Sequence, residues 1–155
     1  MTCIILCVLS ARCTIETENH GLSIVKTFDG MSYTLPEMNE DCEIMLVKDC
    51  TRSHLYTVLL AQSDGLKKVT IQVPQTQLEL KVGHGWSEVL VDGQQQYVND
   101  GDSMDITIDI KGQPVIAQVT KEMDSIYVVM ERLDLNVFVS LANIRIEVSW
   151  RNRFA

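Results

Sequence analysis

Ile106-Thr107-Ile108-Asp109-Ile110 alternates between an apolar and a polar side chain at every step. Successive side chains of a strand point to opposite faces, so this is the pattern of a half-buried β-strand with one wet face. The same period of two runs through Val69-Thr70-Ile71-Gln72-Val73, Leu78-Glu79-Leu80-Lys81-Val82 and Ile144-Arg145-Ile146-Glu147-Val148. Turn signals separate these runs: Ser63-Asp64-Gly65, Gly83-His84-Gly85, Asp92-Gly93, Asn99-Asp100-Gly101 and Lys111-Gly112. Glycine supplies positive φ, and a preceding Asp or Asn suits the type I′ hairpin turn, so consecutive antiparallel hairpins are expected. Pro74 should end its strand or sit at an edge. The stretch from Met123 to Leu135 holds good helix formers, but Ile126-Tyr127-Val128-Val129-Met130 favours a strand. The expected fold is all-β: an antiparallel β-sandwich or partly closed barrel of roughly ten short strands, the usual ways to manage so many edges.

A chain of 155 residues, 46% of them apolar, is expected to make one domain with a real core. No linker or internal repeat is visible. The formal net charge of -8 argues against a nucleic-acid partner, since phosphate binding needs a Lys/Arg surface. No run is long and apolar enough to be a transmembrane segment. Residues 1–12 are either a leader or a first strand. The apolar run Ile4-Ile5-Leu6-Cys7-Val8-Leu9 lacks the charged leading region of a signal peptide, which favours the strand.

The chemistry-bearing residues do not form a catalytic pattern. There is no nucleophile elbow, phosphate loop, HExxH helix or GxGxxG, so no enzyme is expected. His20, His54 and His84 lie apart and read as surface or turn histidines. Asn99, Asp100, Asp102 and Asp105 resemble part of a calcium loop, yet lack the bidentate carboxylate that closes one and fit an ordinary polar turn. The five cysteines, Cys3, Cys7, Cys13, Cys42 and Cys50, all lie in the first third of the chain. An odd number leaves at least one without an internal partner.

The stretch Cys13-Thr14-Ile15, His20, Thr27-Phe28-Asp29-Gly30, Tyr33, Cys42-Glu43-Ile44-Met45-Leu46 and Cys50 resembles the opening of a von Willebrand factor type D domain. The segment from Leu135 to Val148 is similar to that family's closing hairpin. The resemblance covers residues 13–155. It implies an extracellular, disulfide-bonded, mostly β module of a larger secreted protein. Two departures stand out. Glu18-Asn19-His20-Gly21 replaces the family's Gly-Asp-Pro-His, and the sequence given stops where the family continues into a Cys-Gly-Leu-Cys-Gly stretch. The resemblance places the disulfide partners of Cys13, Cys42 and Cys50 in that stretch, along with most calcium ligands. Asp29 would then be one carboxylate of an incomplete calcium site, and no cofactor is expected for the chain as given. Cys42 and Cys50 stand at the two ends of one predicted strand, roughly 26 Å apart if extended, beyond disulfide reach.

The loose opening is most similar to the vitellogenin-like group of lipid-transport, storage and clottable proteins. The expected role is structural, with the rest of a parent chain as partner and lipid reached only through that parent. A mucin-like or von Willebrand-like assembly module with an intermolecular disulfide partner is the alternative. A part of a secreted luciferase-type enzyme is the second alternative.

Overall fold

The alternating runs become two stacked sheets. The structure is a computed structural model and describes residues 5–7, 11–17, 23–26, 31–35, 43–49, 53–63 and 65–148. In chain order the strands are β1 Ile5–Cys7, β2 Ala11–Thr17, β3 Ser23–Lys26, β4 Ser32–Thr34 and β5 Ile44–Lys48. They continue with β6 Thr57–Ser63, β7 Leu66–Val73, β8 Thr76–Gly83, β9 Trp86–Val91 and β10 Gln94–Gln96. The last five are β11 Ser103–Ile110, β12 Gln113–Lys121, β13 Ser125–Met130, β14 Leu135–Ser140 and β15 Asn143–Val148. One 3₁₀ turn, Glu131–Leu133, separates β13 from β14.

The first sheet has the order β1-β5-β6-β7-β8-β9-β10, and the second β11-β12-β13-β14-β15-β2-β3-β4. Every pairing is antiparallel except that of β1 with β5. The second sheet is closed across the sequence: β2 pairs with β15, with Cys13 opposite Ile146. Neither sheet closes on itself. Strands β8 and β9 pack over β13 and β14. The fold is therefore the sandwich and not the barrel.

Alternation explains the core. Ile106, Ile108 and Ile110 of β11 are buried, and Asp105, Thr107 and Asp109 between them are exposed. In β12 the buried positions are Val115, Ala117 and Val119. Register carries these rows across the sheet, for example Val119↔Val128 and Val128↔Val137. The opposing sheet contributes Val58, Leu60, Val69, Ile71, Leu78, Leu80, Val82 and Val89 to the same cluster. Each such side chain stabilises the fold by about 1.5–3 kcal/mol relative to exposure.

The turns divide into two kinds. At Asp92-Gly93 (φ 49° and 81°) and Lys111-Gly112 (φ 52° and 80°) both central residues have positive φ, as the type I′ hairpin requires. Pro74 lies in the two-residue turn between β7 and β8, where it ends a strand that is central and not an edge. Asn99-Asp100-Gly101 departs from expectation. It is no hairpin but the crossover from β10 in one sheet to β11 in the other. Its turn is closed by the Asp102 N–H donating to the Asn99 carbonyl at 3.0 Å.

Gly83 is required by close approach. A Cβ there would stand 2.2 Å from Nε1 of Trp86, the residue opposite it on β9. The indole lies over the glycine and covers a backbone that has no side chain of its own.

Candidate functional site

The residues singled out from the sequence fall in different places. Cys13 lies in β2. Asp29, Cys42, Cys50 and His20 lie outside the described residues. The predicted strand between Cys42 and Cys50 is present as β5, which pairs with β6 through a bulge between Met45 and Val47. His54 and His84 are both exposed, in a loop and a hairpin turn.

The acidic turn before β11 has a structural explanation. The Asp100 carboxylate is 3.3 Å from Lys121 Nζ at the end of β12. Gly101 N–H donates to the Lys121 carbonyl at 2.7 Å, and Lys121 N–H donates to the Asp102 carbonyl at 3.2 Å. These bonds fasten the crossover to the sheet it enters. Asp105 is carried away along β11. Among the described residues no group of three or more His, Cys, Asp or Glu side chains could hold a metal ion.

Four polar residues, Asp49, Lys67, Thr70 and Ser87, are buried among the described residues, and the first two were not anticipated. Asp49, directly before Cys50, is 2% exposed. Its Oδ2 accepts the Leu55 N–H at 2.9 Å, its own N–H donates to the Tyr56 carbonyl at 2.9 Å, and His54 Nδ1 stands 3.1 Å from its carbonyl oxygen. Asp49 thus fastens the end of β5 to the residues that lead into β6. The sequence signal was an Asp at a strand end, a residue type that bonds nearby backbone. Lys67 of β7 is 4% exposed, in an inward row with Val82 and Ser87. Burial pushes its ammonium pKa down from 10.5 to about 8. Ser87 Oγ donates to the Glu122 carbonyl at 2.8 Å and so ties the first sheet to the β12–β13 turn of the second.

A broad concavity of about 520 Å3 lies on the outer face of the second sheet. It exists because β13 pairs with β12 only from Gln118 to Lys121, so the β11–β12 hairpin projects past its neighbour. Pro114 and Ile116 lie in that projecting stretch, with Asp105 and Thr107 on one side and the 3₁₀ turn with Glu131 and Arg132 on the other. Ile116 is 53% exposed. The hairpin tip is anchored by Lys111 Nζ, which donates to the Ser53 carbonyl at 3.0 Å.

These features define a two-sheet domain with a surface groove beside the β11–β12 hairpin and no catalytic constellation among its described residues. The family model for the von Willebrand factor type D domain matches residues 13–153, and the chain belongs to that family. The family is one of non-catalytic modules for interaction and assembly, typical of secreted or extracellular proteins. No curated protein matches the chain. Among the described residues no helix is long and apolar enough to cross a membrane.

Proposed function

We propose that this chain is the structural and interaction module of a secreted, vitellogenin-like lipid-transport, storage or clotting protein, where it docks against the rest of its parent. Family membership over residues 13–153 carries the reading. The cysteines support its covalent part. Their number is odd, so at least one sulfur has no partner within the sequence given and is free to bridge elsewhere. The same observation favours the second reading, a mucin-like or von Willebrand-like module that bridges to another polypeptide. Lipid would be handled by the parent and not by this domain. Asp29 would supply one carboxylate to a calcium site completed elsewhere.

The experiment is to express the chain behind a secretory leader, run the secreted product on a non-reducing gel, and map its disulfides by mass spectrometry. Cys13, Cys42 and Cys50 should appear as free thiols or in intermolecular bridges. A Cys42–Cys50 bridge, or retention of a fully reduced chain inside the cell, would overturn the proposal.

A further inference from the structure

The sandwich has four sheet edges. Three are β1, β4 and β10, each described as three residues long, and the fourth is β11, which is eight. Natural sheets keep edges short because an open edge is a template for another strand. β11 is the exception.

Its geometry specifies what could pair there. Ile110 and Gln113 flank a two-residue turn, so Ile110, Ile108 and Ile106 exchange backbone hydrogen bonds with β12. The N–H and C=O groups of Asp109, Thr107 and Asp105 therefore point out from the edge. Among the described residues no strand lies beside them. The side chains of these same three residues stand exposed on the outer face, while Ile106, Ile108 and Ile110 face the core. An added antiparallel strand would place every second side chain beside Asp105, Thr107 and Asp109, and the others beside the isoleucines. The outer set would be basic and the inner set apolar. The groove extends this preference. A long basic side chain beside Thr107 would lay its stem toward Ile116, the residue opposite Thr107 on β12, between the carboxylates of Asp105 and Asp109, and Arg132 is the one cation in the lining.

A second copy of the chain fits badly. Antiparallel pairing of two β11 strands centred on Thr107 would set Asp105 of each opposite Asp109 of the other, and like charges directly opposite are destabilising. We infer that the β11 edge and its groove receive an extended segment of another polypeptide in which basic and apolar residues alternate. The inference rests on reading the chain as an interaction module and names the surface and partner chemistry for that role.

The test uses a fluorescein-labelled eight-residue peptide alternating lysine and valine, titrated with the protein and followed by anisotropy. In an antiparallel addition the lysines make the backbone bonds to Asp105, Thr107 and Asp109. A peptide N-methylated at its lysines should therefore lose binding, as should one alternating glutamate and valine. Asp105→Lys should weaken the lysine–valine peptide about tenfold by replacing attraction with repulsion. Equal binding of the N-methylated peptide would mean charge adsorption without strand addition and overturn the inference. So would an Asp105→Lys protein that binds as before. If the lysine–valine peptide does not bind, while the disulfide map still shows sulfurs bridged between chains, the edge assignment fails and the module reading stands.

Discussion

Lys67→Met should make this domain more stable at neutral pH. The lysine sits in an inward row between Gln62 of β6 and Val82 of β8, and burial lowers its pKa from 10.5 to about 8. In the unfolded chain the ordinary value of 10.5 applies. Below pH 8 the ammonium is charged in both states, so the native state bears the full cost of burying it. Between pH 8 and 10.5 the unfolded state holds the extra proton, and stability therefore rises with pH through that window. Such a depression corresponds to roughly 3 kcal/mol on the charged form, at 1.36 kcal/mol for each tenfold change. Methionine has similar length, no charge and a flexible chain but gives up the polar interaction Lys67 makes, so the variant should gain about 1–2 kcal/mol at pH 7. The assay is urea unfolding of both proteins at pH 7 and pH 9.5, with the thiols in the same redox state throughout. Comparing the difference between proteins cancels the tyrosines and other lysines that also titrate. The gap should shrink by about 2 kcal/mol between the two pH values. A gap that stays constant, or a variant less stable at pH 7, would show that Lys67 keeps its charge at little cost and refute the reasoning.

Three further outcomes follow from the same structure. Gly83→Ala should cost about 1–3 kcal/mol in thermal or urea unfolding, because the new methyl takes the place of the Trp86 indole and expels it. Asp49→Ala should cost about 1–3 kcal/mol by leaving the Leu55 N–H without its acceptor, and faster proteolysis within the 49–56 loop would register the opened clasp. Calorimetry should detect no micromolar calcium binding by the chain as given, since the single carboxylate of Asp29 falls far short of the six to eight oxygens calcium requires. Micromolar binding that survives Asp29→Ala would place the ligands elsewhere.

Much of the sheet structure was legible because alternation is a local property. Ile106 to Ile110 shows its buried and wet faces without reference to any other strand. Asp92-Gly93 and Lys111-Gly112 likewise announce their hairpins through backbone conformations that few residues adopt. Partnership between distant strands was not legible. Nothing in Cys13-Thr14-Ile15 indicates that it lies beside Ile144 to Ile146, since that pairing is fixed by the packing of the whole sheet. The crossover at Asn99 to Asp102 reads like a hairpin turn because its residues have the same conformational preferences. Only the bonds to Lys121 distinguish it. Lys67 was concealed by the adjacent Lys68, which makes the pair look like a wet turn. Its period-two relation to Val69 and Ile71 was the available clue. The groove depends on where β13 stops pairing with β12, a register detail with no local signature.

The sheet orders also separate the two kinds of contact this module would make. Strands β8 and β9 lie over β13 and β14, so the far flank of the first sheet, β1 and β5, lies toward the flank of the second that holds β2, β3 and β4. Cys7 is in β1, Cys13 is in β2, and Cys42 and Cys50 bracket β5 in sequence. The strands that hold Cys7 and Cys13 therefore lie toward one flank of the sandwich and the long β11 edge toward the other, although Lys111 at the β11–β12 tip reaches Ser53 between β5 and β6. A covalent tether through Cys7 or Cys13 and a strand-receiving β11 edge do not compete for space. A domain held to one chain by its sulfurs could still present β11 to a second segment. Bridging Cys7 or Cys13 should then leave the affinity of the lysine–valine peptide within about twofold of its value for the reduced protein, since well-separated sites act additively. A large change on oxidation would mean that the two flanks are coupled through the core, and the separation argued from strand order would not hold.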